Sequence, residues 1–252
     1  MDLAVQRVVA SKLKKNNLLL KDPGIAPHIP KTAWFSVEAL KKMLKDYAAV
    51  FVKPDRGFCG NGIIRINRLK RDQYEICSSF TDEVKTADLN NTCSMVAGLI
   101  KPGIPYIIQQ GIDVATYKGK AFDVRITMHR LLDKWQLTGW FARVSTNNKA
   151  VTNWSKGGKL VPLEKVLAAN KLNATEISRE LADLAHQISH TFGSYYGMRV
   201  LGVDMAVDRK GGVWFIEANT SPIVRKLFKD YGNKQMYNKA LNAQAFIEKM
   251  YS

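Results

Sequence analysis

The chain has 252 residues, 46% of them hydrophobic and 24% charged, which is enough to bury a sizeable core and excludes a disordered or fibrous polymer. The formal charge of +16 draws the protein toward anions such as nucleotide phosphates, nucleic acid or an acidic polymer. No apolar run approaches the roughly 20 residues that a membrane span needs.

The lysines are spread along the sequence rather than massed in a basic block interleaved with aromatics, so nucleic acid is not the expected partner. Three cysteines, Cys59, Cys77 and Cys93, lack metal-type spacing and read as reduced thiols. The N-terminus is basic without an apolar signal core, so a cytoplasmic location is expected. The length suggests one large domain or two tightly joined lobes.

In chain order, residues 1–17 read as a short basic helix, and Pro23, Pro27 and Pro30 then impose an extended link. Ser36 caps a helix over Val37–Asp46, with Leu40, Met43 and Leu44 on one face. Strands follow at Ala49–Lys53, Ile63–Asn67 and residues 72–77. Asp88–Ile100 suits a helix and Pro105–Gln110 a strand. Two long strands lie near Phe122–Leu131 and Gln136–Val144; in the first, Val124, Ile126 and Met128 alternate with Arg125, Thr127 and His129. Residues 145–159 are polar and read as a loop. Ala174–Phe192 is the clearest helix, Leu201–Val207 and Gly212–Ala218 form a hairpin, and two helices close the chain on either side of Gly232. Strands adjacent in sequence favour antiparallel pairing, hence an α+β fold.

Four constellations carry chemistry. The first is Lys53 at the end of an apolar strand, followed by Gly57, Gly60 and Gly62. Glycines let backbone N–H groups approach phosphate oxygens and an ammonium neutralises them, although the segment also reads as an ordinary hairpin turn. A P-loop is excluded, because the Gly-Lys-Ser/Thr ending is missing. In the second, Glu217 and Asn219 stand two apart on a strand and share a face, with Asp204 on the partner strand. Two carboxylates and an amide oxygen suit Mg²⁺ shared with ATP phosphates. The third is Ile107–Ile112, where Gln109, Gln110 and Ile112 could border an adenine, or form a plain strand. The fourth joins Asp123, Arg125, Arg143 and Asn153; arginines grip phosphate or carboxylate bidentately, and cross-strand ion pairing is the alternative. His186 and His190, four apart on a helix, read as a solvated face rather than a metal pair.

In this order, Val52-Lys-Pro, the Gly57–Gly62 loop, Gln109–Ile112, Asp123-Val-Arg125, Thr152-Asn-Trp-Ser-Lys-Gly-Gly158, Val203-Asp204 and Ile216-Glu-Ala-Asn219 resemble the ATP-grasp superfamily over roughly residues 20–231. The resemblance is to the spore-coat-associated YheC/YheD-like branch and to ribosomal-protein glutamate ligase-type peptide ligases. It implies two α+β lobes clasping ATP between antiparallel sheets. Residues 1–30 would be a reduced leading segment and residues 31–252 the ATP-grasp domain, with a nucleotide lid lobe at about 45–108 and an Mg/phosphate lobe at about 109–252. Lys53 would contact the α- and β-phosphates, the Gly57–Gly62 loop would cover them, and Gln109, Gln110 and Ile112 would frame adenine. Asp204, Glu217 and Asn219 would hold one or two Mg²⁺ ions, with Mn²⁺ as a substitute. Arg125 and Arg143, with Asn153 beside them, would stabilise transferred phosphate or a substrate carboxylate. The implied activity is ATP-dependent carboxylate–amine ligation through an acyl phosphate, releasing ADP and phosphate, on a peptide or acidic protein tail. The implied alternative is a non-catalytic nucleotide-binding protein of a spore coat. Only 52 residues precede Lys53, where many ATP-grasp enzymes place a domain that helps build the acceptor site.

Overall fold

The computed structural model describes residues 8–57, 60–70, 72–80, 83–145, 158–222 and 231–251. Cys59, Asn153, most of the loop expected at 145–159, and the helix expected before Gly232 lie outside the described residues.

Helix α1 (Lys12–Leu19) starts where the Ser11 side chain accepts from Lys14 N, an N-cap that satisfies an otherwise orphaned donor. Strand β1 (Thr32–Trp34) and helix α2 (Val37–Asp46) follow; Ser36 caps α2 through Ala39 N, and Leu40, Met43 and Leu44 are buried. Next come β2 (Ala49–Pro54), β3 (Ile64–Arg68), β4 (Gln73–Ser78), β5 (Val84–Asp88), α3 (Leu89–Leu99) and β6 (Tyr106–Gln110). These strands form one antiparallel sheet in the order β1-β6-β2-β3-β4-β5. Its core packs α2 and α3 side chains, including Leu40, Leu44 and Val96, against Val50, Val52, Ile64 and Ile108.

After the two-residue β7 (Thr116–Tyr117), the second half has β8 (Lys120–Leu131), β9 (Lys134–Val144), β10 (Lys159–Val161), α4 (Leu163–Ala169), α5 (Ala174–Tyr196), β11 (Val200–Val207), β12 (Val213–Asn219) and α6 (Lys234–Tyr251). The second sheet runs β10-β9-β8-β11-β12, also antiparallel. Its larger core sets Ile177, Leu181, Leu184, Ile188 and Phe192 of α5 against Val124, Ile126 and Met128 of β8. The opposite face of β8 carries Asp123, Arg125, Thr127 and His129, all buried. Helix α6 covers part of this face, where Ala240 and Ile247 meet Phe141 and Val200. The end bearing Asp123 and Arg125 is thus left to the cleft between the sheets.

Sequence periodicity locates most of these elements. It misses β1, β5, β7, β10 and α4, which have three, five, two, three and seven residues. Elements this short repeat too few times to show a period, and pairing with neighbours decides them. Among the described residues no helix is long and apolar enough to cross a membrane.

Candidate functional site

The register of the second sheet builds the site. Arg125 pairs with Asp204 across β8 and β11, Asp204 pairs with Glu217 across β11 and β12, and Asp123 pairs with Arg143 across β8 and β9. Directly opposed residues share a face, so these acids and arginines lie on one face of the sheet. Arg125 donates from Nε to Oδ1 of Asp204 and from Nη2 to Oδ2 at 3.0 Å. Arg143 Nη2 stands 3.1 Å from the same Oδ2, and its Nε and Nη2 reach Asp123 at 2.6 and 2.8 Å. Asn219 Nδ2 donates to Asp204 Oδ2 at 3.1 Å. Asp204 Oδ2 is thus crowded by Arg125, Arg143 and Asn219, while Oδ1 meets Arg125. Burial alone would raise the Asp204 pKa, but Arg125 and Arg143 outweigh it and hold the carboxyl below its usual range. For Arg143, burial works against the charge, and Asp123 and Asp204 overcome it so that its pKa is raised. Gly202 makes room for this packing: a Cβ there would lie 2.9 Å from Arg125 Nη1.

The first sheet supplies the facing wall. Lys53, at the end of β2, donates to Gln109 Oε1 at 2.7 Å. Gln109 Nε2 reaches Thr32 Oγ1 at 2.9 Å, which also accepts from Asn16 Nδ2 at 3.0 Å. Burial lowers the Lys53 pKa to about 8, with Lys12 and Lys15 adding to the shift and Glu217 opposing it. Lys53 therefore shares an electrostatic neighbourhood with the second sheet.

Helix α1 closes the cleft, a contribution that sequence reasoning did not single out. Lys15, buried at 4% exposure, donates to Ala218 O at 2.6 Å and lies 3.5 Å from Glu217 Oε1. Lys12 lies 3.6 Å from the same oxygen and donates to Gly57 O at 3.0 Å. Burial lowers the Lys15 pKa, partly offset by Glu217. The sequence signal for them is a pair of lysines three apart on one helix face behind a Ser cap. Buried Asp55 anchors α1, its Oδ1 accepting from Ser11 Oγ at 3.0 Å and Leu13 N at 2.9 Å. The cleft thus gathers five cations (Lys12, Lys15, Lys53, Arg125, Arg143) against three carboxylates (Asp123, Asp204, Glu217), an excess of two positive charges that suits a polyphosphate.

Gly57, Gly60 and Gly62 all have positive φ (143°, 66° and 75°), and a Cβ on Gly62 would sit 2.9 Å from Pro54 Cγ. Gln109 lies in β6 between β1 and β2, its side chain spent on Lys53 and Thr32. Gln110 Oε1 accepts from Lys31 N at 3.1 Å, and Ile112 O accepts from Val114 N at 2.9 Å. Asp204, Glu217 and Asn219 do converge. Two carboxylates and an amide oxygen suit a hard divalent ion. Glu217 already keeps two ammoniums at loose ion-pair distance. Asn219, having given its Nδ2 to Asp204, has Oδ1 as its acceptor. Asp204 Oδ2 is taken by Arg125, Arg143 and Asn219, so an ion would share that oxygen only as those bonds rearrange, while Oδ1 meets Arg125. Among the described residues no three His, Cys, Asp or Glu gather as a metal-binding group.

Comparison with known proteins accords with this architecture. A family model described as YheC/D-like ATP-grasp matches residues 3–245. The endospore coat-associated protein YheD of Bacillus subtilis (strain 168) is 30% identical over 221 residues, covering 84% of this chain and 48% of that protein. The chain therefore spans about half the length of this curated relative. Among solved structures, the ATP-grasp ligase PsnB in complex with a minimal precursor aligns with a TM-score of 0.56 at 14% identity, covering 94% of this chain and 60% of that one. The VanG D-Ala:D-Ser ligase of Enterococcus faecalis aligns at 0.55 and 17% identity over 93% and 61%. The N5-carboxyaminoimidazole synthase of Aspergillus clavatus, complexed with ADP and a ribonucleotide, aligns at 0.58 and 12% identity over 94% and 52%. These likenesses show a shared fold. With the family match spanning nearly the whole chain, the protein belongs to the YheC/D-like ATP-grasp family.

Proposed function

We propose that the protein binds Mg-ATP in the cleft between its sheets and uses it to join a carboxylate to an amine. The observation that carries this reading is the convergence of Lys53, Lys12 and Lys15 with the Asp204–Glu217–Asn219 row, cations outnumbering carboxylates. Lys53, Lys12 and Lys15 bind the triphosphate, the Gly57–Gly62 loop covers it, and Gln110 and Ile112 border the adenine. Glu217 and Asn219, with Asp204 beside them, would hold Mg²⁺ or Mn²⁺, which would supply charge neutralisation on the phosphates. A substrate carboxylate oxygen bonds to the γ-phosphorus as the β–γ bridging P–O bond breaks and ADP leaves. An amine then attacks the acyl carbon, expelling phosphate and losing a proton. Asp123 and Asp204 lock the planes of Arg143 and Arg125, so both guanidiniums meet the transferred group already oriented. Asn153 is proposed to join them.

Calorimetric titration with ATP and Mg²⁺, followed by ADP release over a panel of carboxylates and amines, tests this. Binding and turnover are expected in the native protein, with turnover lost in Glu217→Ala. A second reading is favoured by the arginine pairing of Asp204 and the lysine contacts of Glu217: a nucleotide-binding component associated with a spore coat, without turnover. Tight ATP binding with no ADP release across the panel would select it.

A further inference from the structure

Helix α1 has a second face. While Lys12 and Lys15 reach the cleft, Lys14 and Asn17 point outward and are exposed. Two open cavities meet there. One, of about 570 Å³, runs from residues 8–10 past Lys14 and Lys21 to Tyr195 and Tyr196 at the end of α5. The other, of about 360 Å³, runs toward Trp34 and Pro105. Ser11, Lys14, Asn17 and Arg56 line both, so they form one continuous trough.

Its chemistry is one-sided. Lys14, Lys21 and Arg56 line it, and all three are exposed. The acid among the lining residues is Asp55, at 2% exposure and already bonded to Ser11 and Leu13. Each end carries an exposed aromatic, Tyr195 at 63% and Trp34 at 53%. Tyr195 stands edge-on to Tyr196 with ring centroids 4.8 Å apart. A bound chain here would meet cations along its length and aromatic surfaces at its ends, the makings of a peptide groove.

We infer that this trough docks an acidic peptide segment beside the nucleotide cleft, its carboxylates facing Lys14, Lys21 and Arg56 and its apolar side chains meeting Tyr195 and Trp34. The inference rests on the ligase reading for its choice of a carboxylate-bearing occupant over nucleic acid. Arg56 precedes Gly57, whose carbonyl accepts from Lys12, and Lys14 precedes Lys15 at Glu217. The trough therefore runs along the outer side of the helix whose inner side carries Lys12 and Lys15.

Fluorescence anisotropy with a labelled peptide of alternating glutamate and tyrosine tests the inference, with the glutamine version and a single-stranded oligonucleotide as competitors. Saturable binding of the acidic peptide is expected. The double change Lys14→Glu, Lys21→Glu should weaken it about tenfold or more, and Tyr195→Ala should weaken it severalfold, with ATP affinity by calorimetry unchanged in both. Equal binding of the glutamine peptide, indifference to the charge reversal, or displacement by the oligonucleotide at lower concentration would overturn the proposal. Peptide binding without ADP release on any panel would leave the trough standing and sink the ligase reading. ADP release with small carboxylates and no peptide binding would do the reverse.

Discussion

Two buried bases govern how single residues respond to pH. Lys53 loses its proton near pH 8 because burial disfavours its charge, and a phosphate ligand requires that charge. ATP affinity should therefore hold at pH 7 and fall about fivefold between pH 8 and pH 9. Calorimetry across that range checks this, and Lys53→Arg, charged throughout, should flatten the dependence. His129 differs in kind. It is fully buried with Nδ1 2.8 Å from Thr138 Oγ1, and burial lowers its pKa from 6.5 to about 4, with Gln244 opposing. The unfolded chain takes up the proton first, so His129's contribution is complete above pH 6.5 and fades as pH falls toward 4. At about 1.4 kcal/mol per pH unit, the loss reaches about 3 kcal/mol. Urea unfolding at pH 7, 5.5 and 4.5 should show this slope in the native protein and a shallower one in His129→Gln.

At the scale of the element, α1 and the glycine turn after β2 decide the cleft. Ser11 caps α1 and bonds to Asp55, so Ser11→Ala should cost about 1 kcal/mol of stability. Because α1 carries Lys12 and Lys15, the same change should weaken ATP binding severalfold. A drop in melting temperature with unchanged ATP affinity would show that α1 does not deliver these lysines to the nucleotide. Gly62 combines φ of 75° with a 2.9 Å approach to Pro54. Gly62→Ala should cost about 1–3 kcal/mol through backbone strain and contact, read by thermal unfolding.

On the scale of the whole molecule, two cores do separate work. One gathers Leu40, Leu44, Val52 and Ile108 around the first sheet, and the other gathers Leu181, Ile188, Val203 and Phe215 around the second. Leu40→Ala and Leu181→Ala, both at fully buried positions, should each cost about 2–5 kcal/mol. If the cores are separate cooperative units, amide exchange accelerated by Leu40→Ala should be confined to residues 32–110. Acceleration throughout the chain would instead mark one cooperative unit. Helix α1 ties the halves together, through Asp55 on one side and Glu217 and Ala218 on the other. Its anchoring lysines would be competed for by ATP, which couples nucleotide binding to the junction.

By itself the sequence determined the long elements and the family. The α5 stripe, the Ser36 cap, the β8 alternation and the β11–β12 hairpin are local patterns whose spacing sets their structure. It also determined which of Glu217 and Asn219 face together, since a period of two allows no other outcome. Only the tertiary structure decided what these side chains touch. Which acids Arg125 and Arg143 meet depends on strand pairing, and the register between β8, β9 and β11 sets them on Asp123 and Asp204. Gln109 sits in β6 between two strands, and its amide bonds to Lys53 and Thr32. Lys12 and Lys15 entered the cleft because a buried Asp55, more than 40 residues away, seats their helix. Contacts of that kind depend on the closure of the chain over long distances, which no local pattern of residue types encodes.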